Sequence, residues 1–190
     1  MDKIFLSADQ LLEDAFTLGM SVIDSGYRPD FLVAIWRGGT PVGIAIQELL
    51  AYFDIPNEHQ TLRTRHYTGI DQRLPSVQVD GLEPVLDKIT ANSRVLIVDD
   101  VYDTGLSARE VVAAIENAFV DPPEVRVATI YYKPDHNKSG RAPDYYLHVT
   151  SAWLVFPHEL MGLSTGEILN DKPGATTLKQ HIDAGRRQTD

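Results

Sequence analysis

Apolar positions along the chain recur at two periods. Leu11, Leu12, Ala15, Phe16, Leu18, Met20, Val22 and Ile23 fall at helical spacing behind Ser7-Ala8-Asp9-Gln10, a capping-box pattern, and Gly26 is placed to end that helix. Phe31 to Ile35 is apolar without a break, too short for a helix, and predicts a strand covered on both faces. Beyond Trp36-Arg37-Gly38-Gly39-Thr40-Pro41 a second helical pattern runs through Val42, Ile44, Ala45, Leu49, Leu50 and Tyr52, with Thr40 as the expected cap and Pro41 in the first turn. Residues 59–67 read as a strand, 68–80 as a loop with Gly69 and Pro75, and 81–89 as a short helix. Val95-Leu96-Ile97-Val98 is another strand apolar on both faces, and it ends at Asp99-Asp100. A helix follows on Ala108, Val111, Val112, Ile115, Ala118 and Phe119, then strands over 125–132 and 145–149 around a polar loop with Gly140 and Pro143. This alternation predicts an α/β fold with a mostly parallel central sheet flanked by helices. Residues 166–190 are polar with weak periodicity and are expected to form a poorly packed tail behind a single domain over residues 1–165.

Composition narrows the classes of function. With 190 residues, 43% of them hydrophobic, the chain can build one substantial core. The formal charge of −10 argues against non-specific binding to nucleic acid or to a membrane surface. With no cysteine, disulfides, thiol catalysis and thiolate metal sites are all excluded. There is no basic segment followed by an apolar one at the N-terminus and no apolar run near about 18 residues, so a cytoplasmic protein is expected.

The candidate chemistry starts at the acidic strand end. Two adjacent carboxylates there cannot both enter a core, so at least one faces the crevice where open α/β sheets bind ligands. Asp103-Thr104-Gly105-Leu106-Ser107 then leads into a helix. Backbone N–H groups of such a loop, completed by the Thr104 and Ser107 hydroxyls, make an anion site. Ser107-Ala108-Arg109-Glu110 also fits a capping box, which would give Ser107 a purely structural role. Arg37-Gly38-Gly39 is a second strand-turn-helix junction suited to phosphate, since glycine admits close backbone approach and arginine chelates phosphate oxygens.

Residues 95–107, Val-Leu-Ile-Val-Asp-Asp-Val-Tyr-Asp-Thr-Gly-Leu-Ser, resemble the diphosphoribosyl-binding motif of the type I phosphoribosyltransferases. An aspartate pair after Leu-Ile-Val also opens response-regulator receiver domains, but there it lies near the domain start, whereas here more than ninety residues precede it. The resemblance implies the type I phosphoribosyltransferase fold with a small C-terminal hood. It implies that Asp99 and Asp100 hold the ribose diol of phosphoribosyl pyrophosphate and, with Mg²⁺ as cofactor, the metal. Asp103, Thr104, Gly105, Leu106 and Ser107 would take the 5′-phosphate, and Asp103 would be the general base. Arg37 and Gly38 resemble the pyrophosphate loop of the purine enzymes, in which a non-proline cis peptide precedes the basic residue, here Trp36-Arg37.

Trp153, Leu154, Pro157, His158 and Glu159 resemble the base-binding segment of the xanthine-guanine enzymes. Trp153 would stack on the purine, Leu154 would offer main-chain groups to its edge, and Glu159, where relatives mostly have Asp, would help hold the metal. Lys133 matches the lysine that donates to O6 of 6-oxopurines. Arg63, Arg65 and Arg73 beside Asp71 fit either a solvated basic face or a flap over an anionic substrate; His66-Tyr67 stands where relatives often have Ser-Tyr. The implied activity is transfer of a phosphoribosyl group to hypoxanthine, guanine or xanthine, by a dimer or tetramer. The alternatives are a sensor of phosphoribosyl pyrophosphate or nucleotides on the same fold, and an orotate-type pyrimidine enzyme.

Overall fold

The computed structural model describes residues 3–67 and 76–187. In chain order the elements are β1 (Lys3–Phe5), α1 (Ala8–Asp24), β2 (Phe31–Trp36), α2 (Gly39–Tyr52), β3 (Glu58–Tyr67), β4 (Ser76–Asp80), α3 (Glu83–Leu86) and β5 (Arg94–Tyr102). They continue with α4 (Leu106–Glu116), β6 (Glu124–Tyr132), a 3₁₀ turn (Pro134–His136), β7 (Tyr145–Val149), β8 (Trp153–Val155), α5 (Thr165–Asn170) and α6 (Thr176–Arg187). The chain divides into two compact units, residues 14–151 and residues 1–13 with 152–190.

The larger unit carries a six-stranded sheet in the order β4-β3-β2-β5-β6-β7, parallel throughout except for the antiparallel β3-β4 pair. This is the expected α/β architecture, and it follows from strands apolar on both faces. Val33, Ile35, Ile97 and Val127 pack with Val85 of α3 and Val111 and Ile115 of α4, while the alternate residues Leu32, Ala34, Leu96 and Val98 are buried on the other side. There α2 lies close on the sheet, because a Cβ at Gly43 would stand 2.7 Å from the Cβ of Ala34. β2 leads through α2 outward to β3, and β5 leads through α4 outward to β6 on the opposite side. The strand order therefore reverses between β2 and β5, the place where such sheets leave a crevice beyond the strand ends.

Local readings shift in four places. Residues 76–80, expected in a loop, form β4 by pairing Ser76–Asp80 with Tyr67–Arg63, an antiparallel return whose alternation of Val77 and Val79 with polar residues is short. β5 runs two residues past the acid pair, since Asp99, Val101 and Tyr102 find partners in Thr129, Tyr131 and Tyr132 of β6. α2 begins at Gly39 with Gly38 as its cap, so Thr40 lies inside the first turn, and its hydroxyl has no partner among the described residues. α3 is a single turn.

The smaller unit contains the parallel pair β1-β8, with Lys3, Ile4 and Phe5 opposite Trp153, Leu154 and Val155. Residues 165–187 hold α5 and α6, so this part of the expected tail is ordered by specific contacts despite its weak periodicity. Ser164 and Glu167 form a reciprocal capping box at the start of α5. Lys172, only 2% exposed, donates from Nζ to the Phe156 carbonyl at 3.0 Å.

Candidate active site

The parallel β2-β5 pairing sets the turn after β2 beside the acids of β5. The two junctions are interlocked. The carboxylate of Asp99 accepts the backbone N–H groups of Asp100, at 3.0 Å, and of Gly39. Asp100, 7% exposed, lies so near the turn that a Cβ on Gly38 would collide with its carboxylate, and one on Gly39 would collide with the Val98 carbonyl. Glycine is therefore required at both positions for contact with the acids, in addition to any approach by a ligand. Burial and then the neighbouring charge of Asp100 push the Asp99 carboxyl well above the usual carboxylate range, against the opposing effect of the two N–H donors. Crowded acids of this kind invite a cation. The Trp36–Arg37 peptide is cis, at the position the resemblance implied, and Arg37 is exposed.

Past β5 the chain turns through Asp103, Thr104 and Gly105 into α4. Gly105 adopts φ of 72°, and a Cβ there would run into the Tyr102 ring, so a side chain is excluded by conformation and by space. Leu106 N–H donates to Thr104 Oγ1 at 3.4 Å, and the Ser107 hydroxyl accepts from Thr64 of β3 at 3.3 Å. With Gly105 as the cap, Ser107 stands inside the first turn, so the capping-box reading of Ser107 fails.

Asp103 is held from the end of β6. Lys133, 8% exposed, places Nζ 3.2 Å from Asp103 Oδ2, and His136 places Nδ1 2.8 Å from Oδ1. Lys138 N–H donates to the Thr104 carbonyl at 2.8 Å, and the Tyr102 hydroxyl meets Ser139 Oγ at 2.8 Å and the Arg141 carbonyl at 3.2 Å. The loop after β6 is thus fastened to the loop after β5 at several points.

The sequence reading missed two residues. His136 could have been flagged only by its spacing of three from Lys133, and Lys172 lay in a segment without periodicity. Among the described residues no group of three or more His, Cys, Asp or Glu side chains could hold a metal. A Mg²⁺ ion held by one or two carboxylates and completed by substrate oxygens and water still fits the Asp99-Asp100 pair. Glu159, in the smaller unit, uses Oε2 to accept the Phe156 N–H at 3.0 Å, a local structural contact. Trp153 is 55% exposed and Leu154 is buried, while Val155 and Phe156 are core residues as expected. Arg65 is paired with Asp80 at 2.6 Å, which favours the plain surface role for that arginine. The side chains of His66 and Tyr67, and residues 68–75 with Asp71 and Arg73, lie outside the described residues.

A family model described as a phosphoribosyl transferase domain matches residues 7–160. The chain belongs to this family. Among solved structures it resembles a purine phosphoribosyltransferase from Pyrococcus horikoshii Ot3, at 26% identity and a TM-score of 0.66 over 86% of this chain and 98% of that one. It also resembles a xanthine-guanine-hypoxanthine phosphoribosyltransferase from Helicobacter pylori, at 20% identity and a TM-score of 0.63 over 82% of this chain and 92% of that one. A hypoxanthine phosphoribosyltransferase from Trypanosoma cruzi shares the fold at 16% identity and a TM-score of 0.59 over 78% and 77% of the two chains. The interlocked Asp99–Ser107 and Arg37–Gly39 junctions both lie within the phosphoribosyltransferase domain so matched. No helix among the described residues is long and apolar enough to cross a membrane.

Proposed function

We propose that the protein transfers the 5-phosphoribosyl group of phosphoribosyl pyrophosphate to a 6-oxopurine, giving a nucleoside 5′-monophosphate and pyrophosphate. The observation that carries this reading is the Lys133–Asp103 pair, with Nζ 3.2 Å from Oδ2. An ammonium only donates and an ionised carboxylate only accepts. Side by side they match one edge of a 6-oxopurine, with O6 accepting from Lys133 and N7–H donating to Asp103. Adenine sets an amino group against the ammonium and leaves both unpaired.

In this mechanism N9 of the base attacks C1′ of the ribose as the C1′–O bond to pyrophosphate breaks, and Asp103 takes the proton from N7. Positive charge develops at the anomeric carbon, where Asp100 and Asp99 stabilise it electrostatically. The Thr104–Ser107 cradle holds the 5′-phosphate, and Arg37 and the Gly38 N–H neutralise the leaving pyrophosphate. Mg²⁺, when bound through Asp99 or Asp100 and the substrate oxygens, supplies charge neutralisation for the leaving group. Holding two reactants in line accounts for most of the acceleration, without a covalent intermediate. The roles of Trp153 against the base, of Leu154 at its edge and of Glu159 toward metal rest on the resemblance alone.

The test is a panel of bases with phosphoribosyl pyrophosphate and Mg²⁺. Hypoxanthine, guanine or xanthine is expected to react, with adenine disfavoured by up to about 10⁴-fold in kcat/KM. Adenine as the best substrate would overturn the role of Lys133. No turnover with any base, while phosphoribosyl pyrophosphate still binds, would favour a sensing protein on this fold.

A further inference from the structure

We infer that His136 is a positioning residue that holds the Asp103 carboxylate in register for proton transfer. The inference rests on the reading of Asp103 as general base and extends it to a residue outside the diphosphoribosyl motif. The two oxygens of Asp103 have different partners, Oδ2 facing Lys133 Nζ at 3.2 Å and Oδ1 facing His136 Nδ1 at 2.8 Å. Both partners come from one short segment for a geometric reason. Residues 134–136 form a 3₁₀ turn closed by His136 N–H donating to the Lys133 carbonyl at 3.1 Å, and at three residues per turn positions 133 and 136 share a side. The segment is fixed at its far end, where Asn137 Nδ2 donates to the Tyr132 hydroxyl at 3.0 Å and to the Arg141 carbonyl at 2.9 Å.

The two contacts have different fates during turnover. A 6-oxopurine draws the Lys133 ammonium to O6, and Asp103 Oδ2 then loses its partner. With Lys133 alone, the half-exposed carboxylate would be free to rotate at the moment it must accept a proton. His136 keeps Oδ1 and leaves Oδ2 aimed at the base. An ionised carboxylate cannot donate, so the contact requires a proton on Nδ1. The charged or titratable groups at this point are Asp103 from the loop after β5, Lys133 from the end of β6, and Asp135 and Lys138 on the same loop as His136.

The test compares His136→Phe, which keeps a ring without a donor, with His136→Asn, whose amide nitrogen can replace Nδ1, and with Asp103→Ala. His136→Phe is expected to lower kcat about tenfold, the lower end for losing a hydrogen bond to a charged group because the ring is partly exposed. KM for phosphoribosyl pyrophosphate stays unchanged, because the change bears on the proton transfer and not on the binding of that substrate. His136→Asn is expected to restore most of kcat. Wild-type kcat in His136→Phe, or a rise in KM for phosphoribosyl pyrophosphate with kcat unchanged, beside a collapsed Asp103→Ala, would overturn the positioning role alone. Equal impairment of the Phe and Asn variants would also overturn it, since ring packing would then be the cause. Wild-type kinetics in Asp103→Ala would overturn the base assignment and this inference with it.

Discussion

The acid pair in the larger unit and the buried cation in the smaller one handle charge in opposite ways. At Asp99-Asp100 two like charges are adjacent, and burial with that neighbouring charge drives one carboxyl well above its ordinary range. At Lys172 a single ammonium is buried, but it rests on the Phe156 carbonyl, and Glu159 supplies an opposite charge that partly offsets the downward pull of desolvation. The first arrangement disfavours the ionised form of Asp99 and would be relieved by a cation or by hydroxyl donors. In the second the ammonium has a backbone partner, although desolvation still leaves it below its ordinary range. Crowded like charge beside glycines is what the proposed binding site would use, whereas the buried Lys172 ammonium ties one backbone carbonyl of the scaffold.

The comparison is broken most severely at Asp103. Asp103→Ala is expected to lower kcat by about 10²–10⁴-fold with a smaller change in KM, since a positioned base acts mainly in the transition state. Steady-state kinetics that show only KM moving would make Asp103 a binding group. Next come Asp99→Asn and Asp100→Asn, each removing one of the crowded charges. Both should weaken use of phosphoribosyl pyrophosphate, yet Asp99→Asn in metal-free buffer at neutral pH should leave the thermal midpoint equal to wild type or higher. A large fall in its midpoint would show that the charge at Asp99 supports the fold.

Lys172→Met tests the opposite arrangement. Removing the donor takes the charged partner from the Phe156 carbonyl, which keeps the Glu159 N–H at 3.0 Å, and is expected to cost about 1–2 kcal/mol by chemical denaturation. Hydrogen exchange should rise around residues 154–159. An unchanged midpoint and unchanged exchange would mean that the contact is dispensable.

The same contrast explains what could be read from the chain. The sheet strands and the diphosphoribosyl loop were legible because each is a contiguous run whose period or residue types carry the signal, as in Val95–Val98 and Asp103–Ser107. The Lys133–Asp103 and His136–Asp103 pairs join residues 30 and 33 apart through the β5-β6 register, which no local pattern records. Lys3 with Glu167 and Lys172 with Phe156 are likewise long-range, and helices α5 and α6 lack the apolar stripe that announces packing. β4 escapes the reading because its alternation, Ser76-Val77-Gln78-Val79-Asp80, spans only five residues behind a Gly- and Pro-bearing stretch.

The smallest effect is expected where the smaller unit pairs charge at its surface. Glu167 takes part in the Ser164 capping box and accepts Lys3 Nζ at 2.6 Å. α5 has six residues, too few to be stable alone, so these contacts help to define it. The Lys3 hydrogen bond first, and then the Ser164 backbone and hydroxyl, pull the Glu167 carboxyl down to about 2. A carboxyl depressed in the folded state stabilises the fold above its unfolded value, near about 4.3, and that contribution is lost as pH falls through the folded value. Glu167→Gln should therefore lower the thermal midpoint slightly at neutral pH. The difference from wild type should hold down to about pH 5 and shrink between there and about pH 2. Because both side chains are partly exposed, about 1 M salt should also reduce it at neutral pH. A difference that stays constant or grows on acidification would show that the ionised carboxylate contributes nothing, and that the effect belongs to the shape of the side chain at the start of α5.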